Sequence, residues 1–419
     1  MTTVLDELEW RGLIAQSTDR EALAAALAAG PVTVYCGFDP TAPSLHHGHL
    51  VQLTVLRHLQ RAGHRVLALV GGATGLIGDP RMSGERVLNT KETVEEWVER
   101  LRSQISRFLD FEGDNPAILV NNLDWTGGLT AIDFLRDVGK HYRLGTMLAK
   151  DTVARRLASE EGISFTEFSY QILQGLDFLE LYRRYGCTLQ TGGNDQWGNL
   201  LSGVELIRKS DQASVHALTT PLITKADGTK FGKSEGGSVW LAPDMMSPYA
   251  FYQFWLNTDD DDVVGYLRTF TFLSREQIAA LEAAVAERPA AREAQRTLAA
   301  DVTTLVHGAD ATAKVIAASQ ALFGRGSLAD LDDETLSSAV AELPSATGAA
   351  GDPLVDLFAA TGLVDSKSAA RRAVAEGGLS VNNERVTDEA AVLDASQLLG
   401  GRFAVLRRGR RSLAVVRAG

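Results

Sequence analysis

Residues 32–50 read VTVYCGFDPTAPSLHHGHL. The first five form a short run of β-branched and aromatic residues, the pattern of a buried strand. GFDPTAPS follows as a loop, and Ser44 stands where the N-cap of a helix running to about Arg61 belongs. On that helix His46 and His49 are three apart and share one face. Gly48 between them removes a side chain that would hold a planar ligand away from the turn. The helix start adds unpaired N–H groups and a positive dipole end, so a phosphate-bearing ligand is the physical expectation. A zinc site would need a third ligand close in space, and a lone histidine is most often structural. The strand and proline-containing loop before the pair favour a nucleotide, and no metal site is expected.

Working outward, Arg65–Val70 reads as a second strand running into GGATGLIGDP, and Ala117–Asn121 as a third ending in NNLDW. A helix over about Thr90–Leu109 lies between them. Strands alternating with helices predict a parallel sheet covered on both faces, with ligands beyond the carboxyl ends of its strands. The glycines at 71, 72, 75 and 78 do not fit the G-x-G-x-x-G spacing, which argues against a nicotinamide enzyme. Residues 124–190 read as largely helical, an insertion suited to carrying a partner surface. Helical periodicity resumes from Pro248, and the Pro/Gly-rich ELPSATGAAGDP at 342–353 reads as a linker. Two short helices and then strands follow.

With 419 residues, 45% hydrophobic and 22% charged, the chain has an ordinary globular composition and room for several domains. No apolar run approaches the roughly 18 residues of a bilayer span, and the acidic start does not resemble a signal peptide, so a cytoplasmic location and no membrane partner are expected. Cys36 and Cys187 cannot build a disulfide framework. The net charge of -12 argues against a chain coated in nucleic acid, and no DNA partner is expected. The charge is uneven, however. From Pro353 onward ten basic residues meet seven acidic ones, and RFAVLRRGRRSLAVVRAG carries six arginines and no acid. A basic appendage on an acidic body suits a phosphate backbone, although an arginine run alone is more often a solvated hairpin.

A second chemical element is TKADGTKFGKS at 224–234. Asp227-Gly228 invites a tight turn, and Lys230 and Lys233 sit on the loop beyond it. Ammonium groups so placed can follow a triphosphate and stabilise departing pyrophosphate. Lysine-rich loops are commonly solvated surface, and this one gains weight only beside the histidine pair.

Together PTAPSLHHGHL and KFGKS resemble the two signature motifs of class I aminoacyl-tRNA synthetases, usually written HIGH and KMSKS. YCGFDPTA, VGGATGLIGDP, FTEFSYQILQ, GGNDQWGN and TKADGTKFGKS resemble the bacterial tyrosyl-tRNA synthetase family in particular, from LEWRGL at Leu8 to the RRGRR tail. The resemblance implies an α/β fold: a Rossmann-like parallel-sheet catalytic domain over 1–225 with a dimerisation insertion at about 124–190. An all-α domain with the KFGKS loop would occupy 226–340, a linker 341–352, and a small α+β RNA-binding domain 353–419. Thr41, His46, His49, Lys230 and Lys233 would be catalytic. ATP, arriving with Mg²⁺, would meet these together with Gly37, Asp39, Gly48, Gln52 and Ser234. Tyr35, Asp79, Tyr170, Gln174, Asp177 and Gln196 would surround tyrosine. Of these, Asp79, Tyr170 and Gln174 could hold its ammonium, while Tyr35 and Asp177 read its hydroxyl. Lys367, Arg371, Arg372, Arg407, Arg408, Arg410 and Arg411 would face tRNA(Tyr), and the chain would be a homodimer.

Each assignment has a plainer alternative: a carboxylate in Gly-Asp-Pro usually caps a turn, and Gln174 with Asp177 could be a surface pair on a helix. Two departures from the family pattern stand out. The loop after Asp79 reads RMSGER without the usual lysine, leaving Arg81 or Arg86 for the pyrophosphate, and His47 occupies a position that is usually apolar. A tryptophanyl-type enzyme is the nearest rival, disfavoured by Tyr35 with Asp177. A retired RNA-binding factor is the rival of another class, disfavoured by the intact histidine and lysine pairs.

Overall fold

The computed structural model describes residues 3–80, 87–229, 231–232, 238–409 and 412–419. Two compact units emerge, one of residues up to Met245 with Thr258–Leu298, the other of Met246–Asn257 with Ala299–Gly419.

The first unit is built on six strands: β1 (Gln16–Ser17), β2 (Thr33–Phe38), β3 (Arg65–Val70), β4 (Ile118–Asn121), β5 (Cys187–Gly193) and β6 (His216–Thr220). Their order is β1-β6-β5-β2-β3-β4, with every pair parallel except β1 with β6. TVYCGF and RVLALV are nearly continuous apolar runs because helices bury both faces of a parallel sheet. From β2 the chain steps outward through β3 to β4, then returns to the other side of β2 for β5 and β6. The switch point therefore falls between β2 and β5, where the two halves diverge and leave a crevice at the carboxyl ends.

The helix after β2 spans His47–Arg61, and its N-cap is His46, which corrects the expectation for Ser44. The Ser44 hydroxyl instead accepts from the Ala242 amide at 3.0 Å and bonds the Leu45 carbonyl at 2.7 Å. The helix read over about Thr90–Leu109 spans Lys91–Ile105, and the Thr90 side chain caps it by accepting from the Thr93 amide. The insertion is helical, ending in Phe165–Tyr185, which Ser164 caps and Gly186 closes in the left-handed region at φ 63°. Within it Arg156 and Glu167 form an ion pair at 2.8 Å with both side chains almost wholly buried.

The second unit carries a five-stranded sheet of β7 (Ser345–Gly348), β8 (Leu379–Val381), β9 (Glu384–Arg385), β10 (Phe403–Arg408) and β11 (Ser412–Ala418), ordered β7-β11-β10-β8-β9. The stretch expected as a linker thus contains a strand, β7, paired parallel to β11. Its small residues suit the position: a Cβ at Gly348 would meet Leu357 Cδ2 at 2.7 Å. One face of the sheet packs on the Leu354–Ala360 and Lys367–Ala375 helices. The other, through Phe403, Val405, Leu413 and Val415, packs on Ala318–Val340. The tail is therefore joined to the preceding helices by a shared core.

Candidate active site

A cavity of about 710 Å³ opens at the switch point, lined by β2 at Tyr35 and Gly37, by β5 at Gln190–Gly193, by the start of the His47–Arg61 helix and by Phe165–Tyr185. At one side the first helical turn is closed reciprocally. His46 Nδ1 accepts from the Gly48 amide at 3.0 Å, and His49 Nδ1 accepts from the His46 amide at 3.1 Å. The rings stack with centroids 4.0 Å apart. With both Nδ1 atoms accepting, each neutral ring carries its proton on Nε2. Burial holds both pKa values below the ordinary histidine range, that of His49 well below. The pair therefore presents neutral N–H donors. Gly48 is required by the pair itself, since a Cβ there would lie 2.9 Å from His46 Cε1; its expected role toward a ligand is a lining position.

Asp39 lines the cavity with its carboxylate already engaged: Tyr170 donates to Oδ2 at 2.6 Å and Thr74 to Oδ1 at 2.6 Å. Gly71 makes this possible, because a Cβ there would sit 2.0 Å from Asp39 Oδ1. Gln52 is tied across the sheet ends, donating to Thr220 Oγ1 at 2.7 Å. Thr41 stands exposed at the mouth. Asp79 accepts from Gln196 Nε2 at 2.8 Å and Asn199 Nδ2 at 3.1 Å. Behind it the Lys150 ammonium donates to the Gly198 carbonyl at 2.6 Å, and burial pushes its pKa down to about 8.

At the opposite end Asp177 is fully enclosed. Trp125 Nε1 donates to Oδ1 at 2.9 Å and Asn122 Nδ2 to Oδ2 at 3.0 Å. Burial outweighs these two donors and raises the Asp177 pKa to about 8. Three polar atoms of residues lining the same cavity have no hydrogen-bond partner among the described residues: Tyr35 Oη, Gln174 Oε1 and Gln190 Oε1. Buried polar atoms are rarely left so, and three of them on one cavity make it a candidate for a ligand that supplies the missing bonds.

The structure thus brings Tyr35, Gly37, Asp39, Thr41, His46, Gly48, His49, Gln52, Asp79, Tyr170, Gln174, Asp177 and Gln196 around one cavity. Lys230, Lys233 and Ser234 lie outside the described residues, as do residues 81–86 and Arg410 and Arg411. Reading the sequence passed over Asn122, Trp125, Thr74 and Gln190. Position was the available signal, since Thr74, Asn122 and Trp125 follow parallel strands and Gln190 lies within one. In the second unit Lys367, Arg371, Arg372 and Arg408 are exposed, with Lys367 paired to Asp356 at 2.8 Å. Arg407 turns inward instead, its guanidinium against Gly324.

Residues 27–324 match the family model of class I tRNA synthetases for tryptophan and tyrosine, and residues 335–416 match the C-terminal domain model of tyrosine--tRNA ligase. A Streptomyces coelicolor protein named "Tyrosine--tRNA ligase" is 65% identical over 417 residues, covering 99% of each chain. One of the same name from Mycobacterium tuberculosis is 61% identical, covering 99% of this chain and 98% of its own. Among solved structures, a C-terminally truncated mitochondrial tyrosyl-tRNA synthetase of Aspergillus nidulans aligns with a TM-score of 0.69 and 32% identity, over 75% of this chain and 92% of that one. Matched from end to end at these identities, the chain belongs to the tyrosine--tRNA ligase family of class I synthetases.

Proposed function

We propose that the chain activates L-tyrosine with ATP to tyrosyl-adenylate and pyrophosphate, then transfers the tyrosyl group to the 3′-terminal ribose of tRNA(Tyr). The observation that carries this is one cavity with an enclosed acid, Asp177, beside the unpartnered Tyr35 hydroxyl at one end and a pair of Nε2–H donors at the other. Tyrosine fits with its phenol at Asp177 and Tyr35, and with its ammonium near Asp79, Tyr170 and the open Gln174 Oε1. ATP enters as its Mg²⁺ complex and lies toward His46 and His49, with Thr41 and the lysines of 230–234 at its phosphates.

The tyrosine carboxylate is itself the nucleophile, so attack on the α-phosphorus needs no protein base. Catalysis is positional and electrostatic: neutral imidazole donors and the helix start stabilise charge growing on phosphate oxygens. A ribose hydroxyl of tRNA then attacks the adenylate carbonyl and AMP leaves.

On this reading residues 1–225 carry catalysis, 226–340 and 353–419 serve tRNA, and the exposed Arg371, Arg372 and Arg408 lie on its face. A homodimer through the insertion is supported by Ile132, Leu135, Leu144 and Phe165, all more than half exposed on that segment. A cytoplasmic setting, where tRNA is charged, goes with the same reading. The test is ATP–pyrophosphate exchange with tyrosine, phenylalanine and tryptophan, followed by charging of purified tRNA. Strong exchange with tyrosine alone is expected; exchange driven by tryptophan, or none, overturns the proposal.

A further inference from the structure

His47 is the one residue of the HHGH turn that the proposed chemistry leaves unused. Its ring stands edge-on to Phe231, with centroids 5.1 Å apart at 84°. Phe231 is in turn packed against Tyr266 at 4.6 Å and Phe270 at 6.0 Å. The next residue, Gly232, has φ +77°, and a Cβ there would fall 2.1 Å from His47 Cε1 and 2.5 Å from each ring nitrogen. The imidazole therefore lies flat against the Gly232 backbone, a fit that only glycine permits. His47 Nδ1 is buried with no hydrogen-bond partner among the described residues, and burial lowers its pKa to about 4, so a neutral ring is packed there for its shape.

The same turn holds the far side of this segment. The His47 amide donates to the Val239 carbonyl at 3.0 Å, and the Leu241 amide to the Leu45 carbonyl at 2.9 Å. His46 and Trp240 form an isolated antiparallel bridge, with their rings 6.0 Å apart. Residues 45–47 thus fasten Phe231 and Gly232 on one side and Val239–Leu241 on the other. They belong to the turn whose next residues present the His46 and His49 donors.

Resting on the function proposed above, we propose that His47 is a positioning residue for adenylate formation: it ties the KFGKS segment, through Phe231 and Gly232, to the first turn of the His47–Arg61 helix. The two signature elements are then held in register by a direct side-chain contact. Because a misplacement of about 1 Å can lower a rate by roughly 100-fold, losing this contact should cost rate far more than affinity.

Single-turnover adenylate formation with the full-length chain tests this, read beside tyrosine affinity by equilibrium dialysis and beside the unfolding midpoint. His47→Ala should slow adenylate formation by roughly 10- to 100-fold while tyrosine affinity holds. His47→Phe, which keeps a flat ring, should restore most of the rate. Phe231→Ala added to His47→Ala should cost little more than either change alone, as expected for partners in one contact. Gly232→Ala tests the contact from the loop side: it should slow the step, and His47→Ala in that background should recover part of the loss. Full rate in His47→Ala, equal losses of rate and tyrosine affinity, or multiplicative losses in the double variant would overturn the inference while leaving the activity itself intact. Absence of tyrosine-dependent exchange in the unaltered chain would instead remove the functional reading on which it stands.

Discussion

Asn122→Ala isolates what the enclosed end of the cavity does. Asn122 is fully buried; its Nδ2 donates to Asp177 Oδ2 at 3.0 Å and Thr74 Oγ1 at 2.9 Å, while its Oδ1 accepts from the Ala73 amide at 2.7 Å. Among the described residues, alanine leaves Trp125 Nε1 as the remaining side-chain donor to Asp177, so the carboxyl group is free to rotate away from the phenol position. With its pKa raised to about 8, Asp177 is an uncharged acceptor near pH 7, and a hydrogen bond between neutral groups contributes about 0.5–1.5 kcal/mol net. With each 1.4 kcal/mol worth a factor of about ten, tyrosine kcat/KM should fall by roughly 2- to 10-fold. Phenylalanine offers no hydroxyl to Asp177, so its kcat/KM should change little and the tyrosine-to-phenylalanine ratio should drop by nearly the whole factor. The assay is pyrophosphate exchange with both amino acids over a range of concentrations, with unfolding followed in parallel because Ala73 and Thr74 also lose a partner. Equal losses for the two substrates would show that Asn122 supports the fold and has no part in reading the phenol, which refutes the reasoning.

Other consequences follow from the same geometry. The Asp177 pKa rises from 3.8 to about 8, so the folded chain keeps a proton that the unfolded chain has released, and stability should decline as pH climbs through that interval. Urea unfolding from pH 5 to 9 should show this decline in the unaltered chain and a flatter profile in Asp177→Asn; parallel profiles would contradict it. Glu167→Ala takes the counter-charge from the buried Arg156 guanidinium and should cost about 3–5 kcal/mol in denaturant unfolding, whereas a loss below about 1 kcal/mol would mean that water reaches the pair. Reversing Arg371 and Arg372 together to Glu should weaken tRNA binding and shrink its salt dependence while pyrophosphate exchange is unchanged. Unchanged tRNA affinity would place the contact face elsewhere.

The gathering of candidate residues around one cavity was legible in sequence where it rests on short-range spacing. His46 and His49, three apart, share one face of the first turn, where their rings stack, and strands alternating with helices set the carboxyl ends as the place for a crevice. What escaped depends on partners distant along the chain. Ser44 has the composition of a cap, but Ala242, nearly two hundred residues away, claims its hydroxyl, so the cap passes to His46. Asn122 and Trp125 carry no motif of their own and acquire meaning only when the Phe165–Tyr185 helix brings Asp177 to them. The small, turn-rich SATG reads as a linker until β11 offers it a strand to pair with. Arg407 belongs by composition to a basic tail, yet the packing of that sheet on Ala318–Val340 turns its side chain toward Gly324.

The most direct measurement is a crystal structure with a non-hydrolysable tyrosyl-adenylate analogue. Its phenol hydroxyl should lie within hydrogen-bond distance of Asp177 and Tyr35, its amino group beside Gln174 and Tyr170, and its nucleotide against the Nε2 atoms of His46 and His49. An analogue bound in the reverse sense, or outside the crevice between β2 and β5, would contradict the account.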